Sequence, residues 1–480
     1  MKDRLPILLT LCAVGVMFAI LARHALSDDA HITMRIVRHA LEGDGLRYNA
    51  GDTGVQPATS PLNLIALLCV SGVLSLVGVS VEQAVLNAPM IIGCIALPAF
   101  GCAMYLLMCG DRRFSFASAM AATLAMGIPI SLATLGLETL MSMALCLAAI
   151  IAYKSRLYTP MGWLLGLAFL ARHDAVILAG ILYFLYWRET RGNQEAKPLN
   201  ALLGFLAVVA PWVIFSLVYY GVATPTTLES KASQGGTAYW PAWYPTKLGH
   251  WLEVYFASSS MLVAAFSIMA LIGVVAAIWK RTRAAQCVLI FALYQFLVFA
   301  AYSAMGMPDY HWYFVPYGIT LVLLAGYGVS LLHPNTHYMR TTVVAVIAVI
   351  SAAVGLSRYA PGSGEVWSSY KEVGRYLESN PPRAAAGLME IGIVGFYAPS
   401  VRVFDFAGVA TLEQAERVSR NAANEWLSNP SVADVVVIRG VQHPLEPDFD
   451  DRFETLYEHE WTGTPSDTFP NGLQVWRLRN

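Results

Sequence analysis

The chain has 480 residues, of which 56% are hydrophobic and only 13% are charged. One globular core cannot bury so much apolar side chain, so an ordinary soluble protein is excluded. The net charge of -1 hides an asymmetry, because residues 1–358 carry 21 basic and 15 acidic residues whereas residues 359–480 carry 10 and 17. No basic stripe is present that could neutralise phosphates, so we predict no nucleic-acid partner.

Apolar segments of spanning or near-spanning length recur through the first part of the chain. About twelve can be recognised, at residues 5–26, 61–79, 85–109, 114–135, 137–153, 161–170, 175–187, 199–220, 254–279, 284–303, 313–332 and 341–357. We interpret the first as a retained span rather than a signal peptide, because it lacks a small-residue cleavage site. The sequence therefore predicts a polytopic α-helical membrane protein.

Clusters of lysine and arginine predict the orientation of these segments, because cytoplasmic loops are enriched in positive charge. The clusters lie at residues 112–113, 154–156, 188–197 and 280–283. Counting spans from them places residues 27–60 and 359–480 outside the cytoplasm. One segment before residue 112 must then fail to cross, and we favour 61–79, which would lie at the interface or re-enter. This interpretation predicts about eleven spans. The alternative is that the arginine pair at 112–113 is an exception to the enrichment of positive charge in cytoplasmic loops.

The first outer loop, residues 27–60, begins with the adjacent carboxylates Asp28 and Asp29. Apolar and polar residues then recur on opposite sides at helical spacing, which predicts an amphipathic helix lying in the membrane surface. Sugar transfer from a polyprenyl phosphate needs a base for the acceptor hydroxyl and cations for the departing phosphate. We expect one aspartate to cap the helix and the other to be catalytic, and we favour Asp29. Arg35 is a candidate phosphate ligand, although it could instead snorkel to headgroups.

Two polar sites interrupt the apolar segments in the middle of the chain. Glu138 lies between two segments, where a carboxylate near membrane depth is a functional candidate, although it could equally begin a helix that faces water. Residues 161–187 start and end at the cytoplasm with Arg172, His173 and Asp174 at their middle, which predicts two short helices meeting at a polar tip. Arg172 could pair internally or meet a phosphate, and we favour the phosphate.

Two outer segments combine polar residues with aromatic side chains. Lys231 lies in the loop 224–251, which is also rich in tyrosine and tryptophan, and His311 lies in the run 309–313 that opens a span. Aromatic side chains at this level typically form interfacial belts. Stacking against a sugar ring is the alternative, so one member of the run 309–313, for which we choose His311, is a candidate for lining the site.

The C-terminal part, residues 359–480, shows the patterns of a small α/β domain. An amphipathic helix starts near residue 363 and ends before Pro381 and Pro382, and a second helix is predicted near 412–427. Strands are predicted at residues 387–391, 401–406, 434–438, 453–457 and 473–478. Their alternation with helices predicts some parallel pairing. We therefore divide the chain into a membrane domain, residues 1–358, and an extracytoplasmic α/β domain, residues 359–480.

A set of short motifs in a fixed order resembles a bacterial branch of the GT-C glycosyltransferases, similar to the terminal arabinofuranosyltransferases of cell-wall arabinan. The motifs are DDAHIT, EGDGLRYNAGD, TSPL, GLET, LARHD, YYGVATPTTLESK, YHWYFVP, MEIGIVGFY and VFDFAGV. The resemblance covers most of the chain. It implies a GT-C-like fold of many spans, a polyprenyl-phosphate sugar donor and a catalytic aspartate in the first outer loop, which falls on Asp28 and Asp29.

The same resemblance implies roles for two basic residues and shows two departures. By matching position, Arg172 and Lys231 would contact the donor phosphate or the acceptor. Relatives often have Arg-Pro followed by Asp or Glu where this chain has Arg172-His173-Asp174. They often have Leu-Pro-Asn-Thr where this chain has residues 223–226, Ala-Thr-Pro-Thr. These departures bear on the identity of the sugar and the acceptor.

The function we expect is transfer of a sugar, with arabinofuranose as one candidate, from a polyprenyl phosphate to an extracytoplasmic glycan, lipid or protein. The expected location is the bacterial inner membrane, in contact with membrane lipid. His31 and His39 lack the pattern of a metal site, and we predict neither a metal nor a cofactor. Two alternatives are a transporter of a lipid-linked sugar and a non-catalytic membrane partner of a glycan-assembly enzyme. Transport would favour charges deep in several spans and a repeat symmetry, neither of which is visible in the sequence.

Overall fold

A computed structural model describes residues 4–52, 55–108, 115–191, 198–256, 259–332, 367–439, 444–447 and 451–479. The helices described before residue 333 are α1 (Leu5–Leu21), α2 (Asp28–Glu42), α3 (Pro61–Leu76), α4 (Val81–Met108), α5 (Ser115–Gly127), α6 (Pro129–Leu132), α7 (Thr139–Lys154), α8 (Tyr158–Ala171), α9 (Ala175–Thr190), α10 (Pro198–Tyr219), α11 (Thr226–Gln234), α12 (Leu248–Tyr255), α13 (Ser260–Lys280), α14 (Arg283–Met305) and α15 (His311–Leu332).

Five of these helices are long and apolar enough to cross a membrane, namely α4, α10, α13, α14 and α15. Shorter apolar helices accompany them, namely α1, α3, part of α5, α7 and α8. The prediction of about eleven spans therefore stays a prediction, as does the choice of 61–79 as the segment that fails to cross. The predicted segment 341–357 and the predicted domain boundary at residue 358 lie outside the described residues.

The polar tip predicted in the middle of residues 161–187 is confirmed. Helix α8 ends at Ala171 and α9 begins at Ala175, and Arg172 between them has an extended backbone, with φ -147° and ψ 125°. An extended residue cannot continue the α-helix, so the chain turns at this point. Arg172 is thereby placed at the junction of two short apolar helices.

The described residues between 367 and 479 form helices around a five-stranded mixed sheet. Its elements are α16 (Ser368–Ser379), β1 (Ala386–Leu388), α17 (Ile391–Tyr397), β2 (Val403–Asp405), α18 (Leu412–Ser419), β3 (Val435–Ile438), α19 (Asp451–Leu456), β4 (Tyr457–Thr462) and β5 (Gln474–Leu478). The strand order is β2-β1-β3-β5-β4, and β1 pairs in parallel with both β2 and β3. Strand β5 pairs antiparallel with β3 and β4. The predicted parallel pairing is confirmed.

The strand predicted at residues 453–457 is wrong, because these residues form most of α19 and β4 begins only at Tyr457. Phe453 and Tyr457 are fully buried and stack with ring centroids 4.9 Å apart, while Leu456 is half-buried. Thr455, which a strand would place on the same side as Phe453 and Tyr457, is exposed. Buried positions at i, i+3 and i+4 follow the period of a helix.

Helix α2 is amphipathic as predicted, but its N-terminal cap differs from the prediction. Its first turn is capped by Ser27, whose hydroxyl accepts a hydrogen bond from the N–H of Ala30 at 3.3 Å, and not by an aspartate. Its apolar residues Ile32 and Ile36 are buried, and the helix packs on α3 and α4. Its polar side packs against α17.

The carboxylate of Asp28 caps the N-terminus of α17. It accepts hydrogen bonds from the backbone N–H groups of Gly392 at 2.8 Å and Ile393 at 2.7 Å. The first N–H groups of a helix have no partner within the helix, and the partial positive charge there favours an anion. A residue at the start of α2 therefore completes a helix of the C-terminal domain.

Basic side chains of α2 bind the carbonyl groups at the other end of α17. Arg35 donates to the carbonyl oxygens of Gly395, of Ala398 at 3.0 Å and of Val401 at 2.6 Å. Arg38 donates to that of Phe396 at 2.9 Å. Cations at a helix C-terminus interact favourably with its partial negative charge. We call the contacts of Asp28, Arg35 and Arg38 with α17 the α2–α17 clasp.

The segment that follows α2 is held by the same domain. The Tyr48 hydroxyl donates to the carbonyl oxygen of Ile391 at 2.8 Å. The side-chain amide of Asn49 bonds to both backbone groups of Val403, at 3.0 Å and 2.9 Å, and so pairs with β2 as a neighbouring strand would. This segment is therefore fixed by buried hydrogen bonds over several residues.

Glycine allows the close approach of α2 and α17. A Cβ atom at Gly392 would clash with the backbone carbonyl of Asp28, and one at Gly395 would lie 2.6 Å from the Tyr48 hydroxyl oxygen. The backbone of Asp28 cannot move aside to relieve this clash, whereas the end of a flexible side chain could. The clasp therefore requires glycine at residue 392.

We expect Gly392→Ala to lower the midpoint of thermal unfolding of the purified chain in detergent, because overpacking a close contact typically costs about 1–3 kcal/mol. Gly180→Ala in α9 is the matched control, since a Cβ at Gly180 would meet no atom within 4 Å. It should leave the midpoint unchanged or raise it, because alanine favours a helix over glycine. Equal midpoints for the two variants would contradict the close contact.

Candidate functional site

Polar residues from separate parts of the chain meet where α2 begins. Lys231 on α11 lies with its Nζ 3.2 Å from Oδ1 of Asp29, and Nη1 of Arg172 lies 3.4 Å from Oε1 of Glu138. Tyr313 lies close to both pairs. The Arg172 guanidinium lies 5.5 Å from the centroid of its ring, and Lys231 interacts electrostatically with its hydroxyl group. We call Asp29, Glu138, Arg172 and Lys231 the polar cluster. The sequence predicted each of them as a site residue, and the structure brings them together.

The two adjacent aspartates point in different directions. Successive residues of an α-helix are rotated by about 100°, so side chains at positions 28 and 29 cannot face the same partner. Asp28 is buried against α17, whereas the Asp29 side chain is 27% exposed and faces Lys231. Burial raises the pKa of Asp28, and its two backbone hydrogen bonds oppose that rise. Of the two carboxylates, Asp29 is the more accessible to a ligand.

Lys231 is a buried cation with aromatic neighbours. Its Nζ lies 5.2 Å from the centroid of the Tyr310 ring and 4.9 Å from that of Trp312, within the range of cation–π attraction. Burial lowers the pKa of Lys231, but Asp29 and neighbouring groups more than offset that effect, so the pKa lies above its ordinary value. Lys231 is therefore positively charged at neutral pH.

Helix α11, which carries Lys231, is fixed from two sides. Gln234 on the same helix donates to the carbonyl oxygen of Ala407 in the C-terminal domain at 2.9 Å. Its side-chain oxygen accepts a hydrogen bond from the Tyr310 hydroxyl at 2.9 Å. The position of Lys231 thus depends on both the C-terminal domain and the start of α15.

Arg172 is held by buried acceptors at the tip between α8 and α9. Its Nη2 and Nε lie 2.8 Å and 3.1 Å from Oδ2 of Asp174, so internal pairing is present. The Tyr302 hydroxyl donates to the same oxygen at 2.8 Å. A guanidinium fixed along one edge presents its remaining nitrogen in a defined direction. In Arg172 that nitrogen is Nη1, on the side of Glu138.

His311 lies beside the polar cluster without joining its ion pairs. It is the first residue of α15, and its ring centroid lies 4.8 Å from that of Trp312 and 6.1 Å from that of Trp251. Within the described residues its Nε2 is buried without a hydrogen-bond partner. A buried imidazole nitrogen of this kind is available to a ligand.

Arg35 is not part of the polar cluster, although the sequence predicted it as a donor or acceptor ligand. Its side chain is 1% exposed, and Nε donates to the carbonyl oxygen of Tyr48 at 2.7 Å in addition to its bonds in the clasp. Backbone carbonyl groups thus occupy all three of its nitrogens. A phosphate could reach Arg35 only if the clasp opened.

Glu390 is a further acidic residue near the cluster that the sequence analysis missed. It lies two residues before Gly392, which binds Asp28, and its Oε1 lies 3.4 Å from Nη1 of Arg439. Burial raises the pKa of Glu390 to about 7, while Arg439 opposes this rise and the charge of Asp29 adds to it. The only local signal was one acidic residue inside the apolar run MEIGIVGF.

Over the ranges that the structure describes, no group of three or more histidine, cysteine, aspartate or glutamate side chains could hold a metal ion. The polar cluster instead combines two carboxylates with two cations. Such an arrangement can accept a proton at one point and bind an anionic group at another.

No family model matches the sequence, and no curated protein matches it. Solved structures do match. ArnT from Cupriavidus metallidurans in the apo state has a TM-score of 0.61 at 14% identity, and bound to undecaprenyl phosphate it has a TM-score of 0.59 at 13% identity. Each comparison covers 99% of this chain and 98% of that chain. The apo oligosaccharyltransferase of Archaeoglobus fulgidus has a TM-score of 0.54 at 13% identity, over 99% of this chain and 74% of that one.

The chain shares its fold with ArnT and with the oligosaccharyltransferase. ArnT and the oligosaccharyltransferase are both GT-C glycosyltransferases, and at these low identities the likeness concerns the fold. The GT-C-like fold class predicted from the sequence is therefore confirmed. The arabinofuranosyltransferase branch stays a prediction.

The raised pKa of Glu390 predicts that the stability of the chain depends on pH. The pKa of a glutamate in an unfolded chain is about 4.3. The higher pKa of Glu390 in the folded chain means that folding favours its protonated form. The stabilising contribution of Glu390 is complete below about pH 4.3 and is lost as the pH rises through about 7. Glu390→Gln removes this loss, so its midpoint of thermal unfolding should rise relative to wild type between pH 5 and pH 8.

The matched control is Glu413→Gln, which changes a side chain that is 82% exposed on α18. Its midpoint should follow that of wild type over the same pH range. Parallel curves for Glu390→Gln and wild type would contradict the raised pKa of Glu390.

Proposed function

We propose that the chain is a glycosyltransferase that moves a sugar from a polyprenyl-phosphate donor to an extracytoplasmic acceptor. The observation that carries the proposal is the polar cluster, in which a partly open carboxylate, Asp29, lies 3.2 Å from a buried cation, Lys231. A second buried cation, Arg172, belongs to the same cluster. The GT-C fold adds support, since ArnT with undecaprenyl phosphate bound shares it.

Asp29 is the general base in this proposal. A hydroxyl of the acceptor attacks the anomeric carbon, and its proton passes to the Asp29 carboxylate. The side chain is 27% exposed, so an acceptor can approach it. The bond from the anomeric carbon to the phosphate oxygen breaks, and its electron pair leaves with the lipid phosphate.

Lys231 and Arg172 stabilise the departing phosphate. An ammonium group has three N–H donors, so Lys231 can bind Asp29 and a phosphate oxygen together. Both cations are buried, with side chains 7% and 5% exposed, and electrostatic stabilisation is strongest where water is excluded. Glu138 orients Nη1 of Arg172 in this arrangement.

Asp28 and Arg35 act as positioning residues in the proposal. Their contacts with α17 set the rotation of α2 and thus the direction of Asp29. His311, with its unpartnered Nε2 among the described residues, is a candidate hydrogen-bond partner for a sugar hydroxyl. Our assignments retain every residue predicted from the sequence, but Asp28, Arg35 and Glu138 position other groups instead of contacting the substrates.

For the finer identity of the substrates we rely on the sequence motifs. They favour arabinofuranose as the sugar and a glycan, lipid or protein as the acceptor. We further propose that the chain lies in the bacterial inner membrane with its C-terminal domain outside, as the positive charges of the loops predict.

Asp29→Asn should abolish transfer, with a loss of about 10²–10⁴ in rate, because amide nitrogen and oxygen cannot accept the proton. The assay uses the full chain in nanodiscs with farnesyl- and decaprenyl-phosphate sugars and membrane glycans, and follows release of lipid phosphate. Asp44→Asn in the same outer loop is the control and should retain wild-type activity. Acceptor-dependent release by Asp29→Asn at the wild-type rate would refute the assignment of the base.

Lys231→Gln should lower the rate about 10²–10³-fold, since it removes a donor aimed at the developing negative charge. Lys247→Gln is a matched control, because Lys247 also pairs with an aspartate, Asp309, at 3.3 Å but in a more exposed position. It should be as active as wild type. If the two lysine variants behave alike, Lys231 has no special part in phosphate binding.

A further inference from the structure

A cavity of about 540 Å³ lies apart from the polar cluster, between the membrane helices and the C-terminal domain. Its walls come from the end of α1, from α2, from the first turns of α4, and from α16 and α17. No member of the polar cluster lines it. Ligand sites typically have volumes of about 300–1,000 Å³, so it is large enough for a substantial group.

Basic side chains line this cavity. Arg23 and His24 follow the end of α1, and Lys371 lies on α16. In the part of the chain that the structure describes, no carboxylate lies within 4.0 Å of the charged groups of Arg23 or Lys371, and no acidic residue lines the cavity. The Lys371 ammonium instead lies 5.0 Å from the centroid of the Tyr397 ring. Cations without a carboxylate partner attract an anionic ligand.

The remaining lining includes apolar and amide side chains. Leu26, Leu86 and Met90 are apolar, and the Gln83 amide donates to the side-chain oxygen of Asn87 at 3.1 Å. A free inorganic anion would not be stabilised by contact with the apolar side chains. An amphiphile with an anionic head would be stabilised both by the basic side chains and by burial of its apolar surface. The chemistry of the lining therefore favours a lipid-like ligand.

We propose that this cavity binds the phosphoryl headgroup of an anionic amphiphile, at a second site separate from the polar cluster. Arg23 and Lys371 bind the phosphoryl oxygens, and the wall of Leu26, Leu86 and Met90 contacts the adjoining apolar part. The proposal does not depend on glycosyl transfer, because none of its residues belongs to the polar cluster.

The test is native mass spectrometry of the full chain in detergent, titrated with dioleoyl phosphatidic acid and, in parallel, dioleoyl phosphatidylcholine. Every protein carries Lys231→Gln, so that the polar cluster does not compete for phosphate. Arg23→Gln with Lys371→Gln should weaken binding of phosphatidic acid about tenfold or more, since each charge-assisted contact contributes more than a neutral one. Phosphatidylcholine should bind weakly to all variants.

Arg375→Gln is the matched control. Arg375 lies one turn from Lys371 on α16 and also over the Tyr397 ring, at 5.8 Å, but it does not line the cavity. It should leave binding of phosphatidic acid unchanged. Equal binding by the double variant and by Arg375→Gln would overturn the proposal.

Two further arms separate the remaining explanations. Millimolar inorganic phosphate should not displace phosphatidic acid, and displacement would assign the cavity to a free phosphate instead. Lys231→Gln by itself should bind phosphatidic acid as tightly as the natural chain does. Loss of the lipid in that variant would place the bound phosphate in the polar cluster and refute a second site, whether or not the chain transfers a sugar.

Discussion

The α2–α17 clasp is the contact on which the position of the site depends. Helix α17 has seven residues, too few to be stable by itself in water. The Asp28 carboxylate binds its first N–H groups, and Arg35 binds carbonyl oxygens at its other end. Desolvating both charges is costly, and several hydrogen bonds to each charge offset that cost. The clasp therefore joins the segment after α1 to the C-terminal domain and fixes how α2 is rotated.

That rotation explains the different environments of two adjacent aspartates. Because neighbouring helical residues diverge by about 100°, burying Asp28 against α17 turns Asp29 toward Lys231. Lys231 is itself placed by α11, which Gln234 ties to the carbonyl group of Ala407. Both halves of the Asp29–Lys231 pair thus take their positions from the C-terminal domain. Helix α17 and Ala407 of that domain thus set the geometry of an ion pair that is formed by residues earlier in the chain.

Local features of this fold could be predicted from the sequence, whereas long-range partners could not. Hydropathy and helical period are carried by neighbouring residues, and they predicted α2 and the polar tip at Arg172. The destination of Arg35 depends on carbonyl groups about 360 positions away, which no local pattern encodes. Glu390 was missed for the same reason. At residues 453–457 we predicted a strand from Phe-Glu-Thr-Leu-Tyr, but the buried or half-buried positions 453, 456 and 457 follow the period of a helix, which depends on packing within the domain.

The two sets of basic side chains differ in their electrostatic partners, and this difference suits different tasks. Lys231 and Arg172 already lie beside carboxylates, which partly neutralise their charge. They therefore attract the phosphate of a bound donor only weakly before the reaction. Their fixed N–H groups gain most when negative charge develops on a departing phosphate, which is the condition for accelerating a reaction. Arg23 and Lys371 have no carboxylate partner among the described residues, so they favour binding of an anion that carries its charge before any reaction. Paired cations therefore suit chemistry, and unpaired cations suit retention of a ligand.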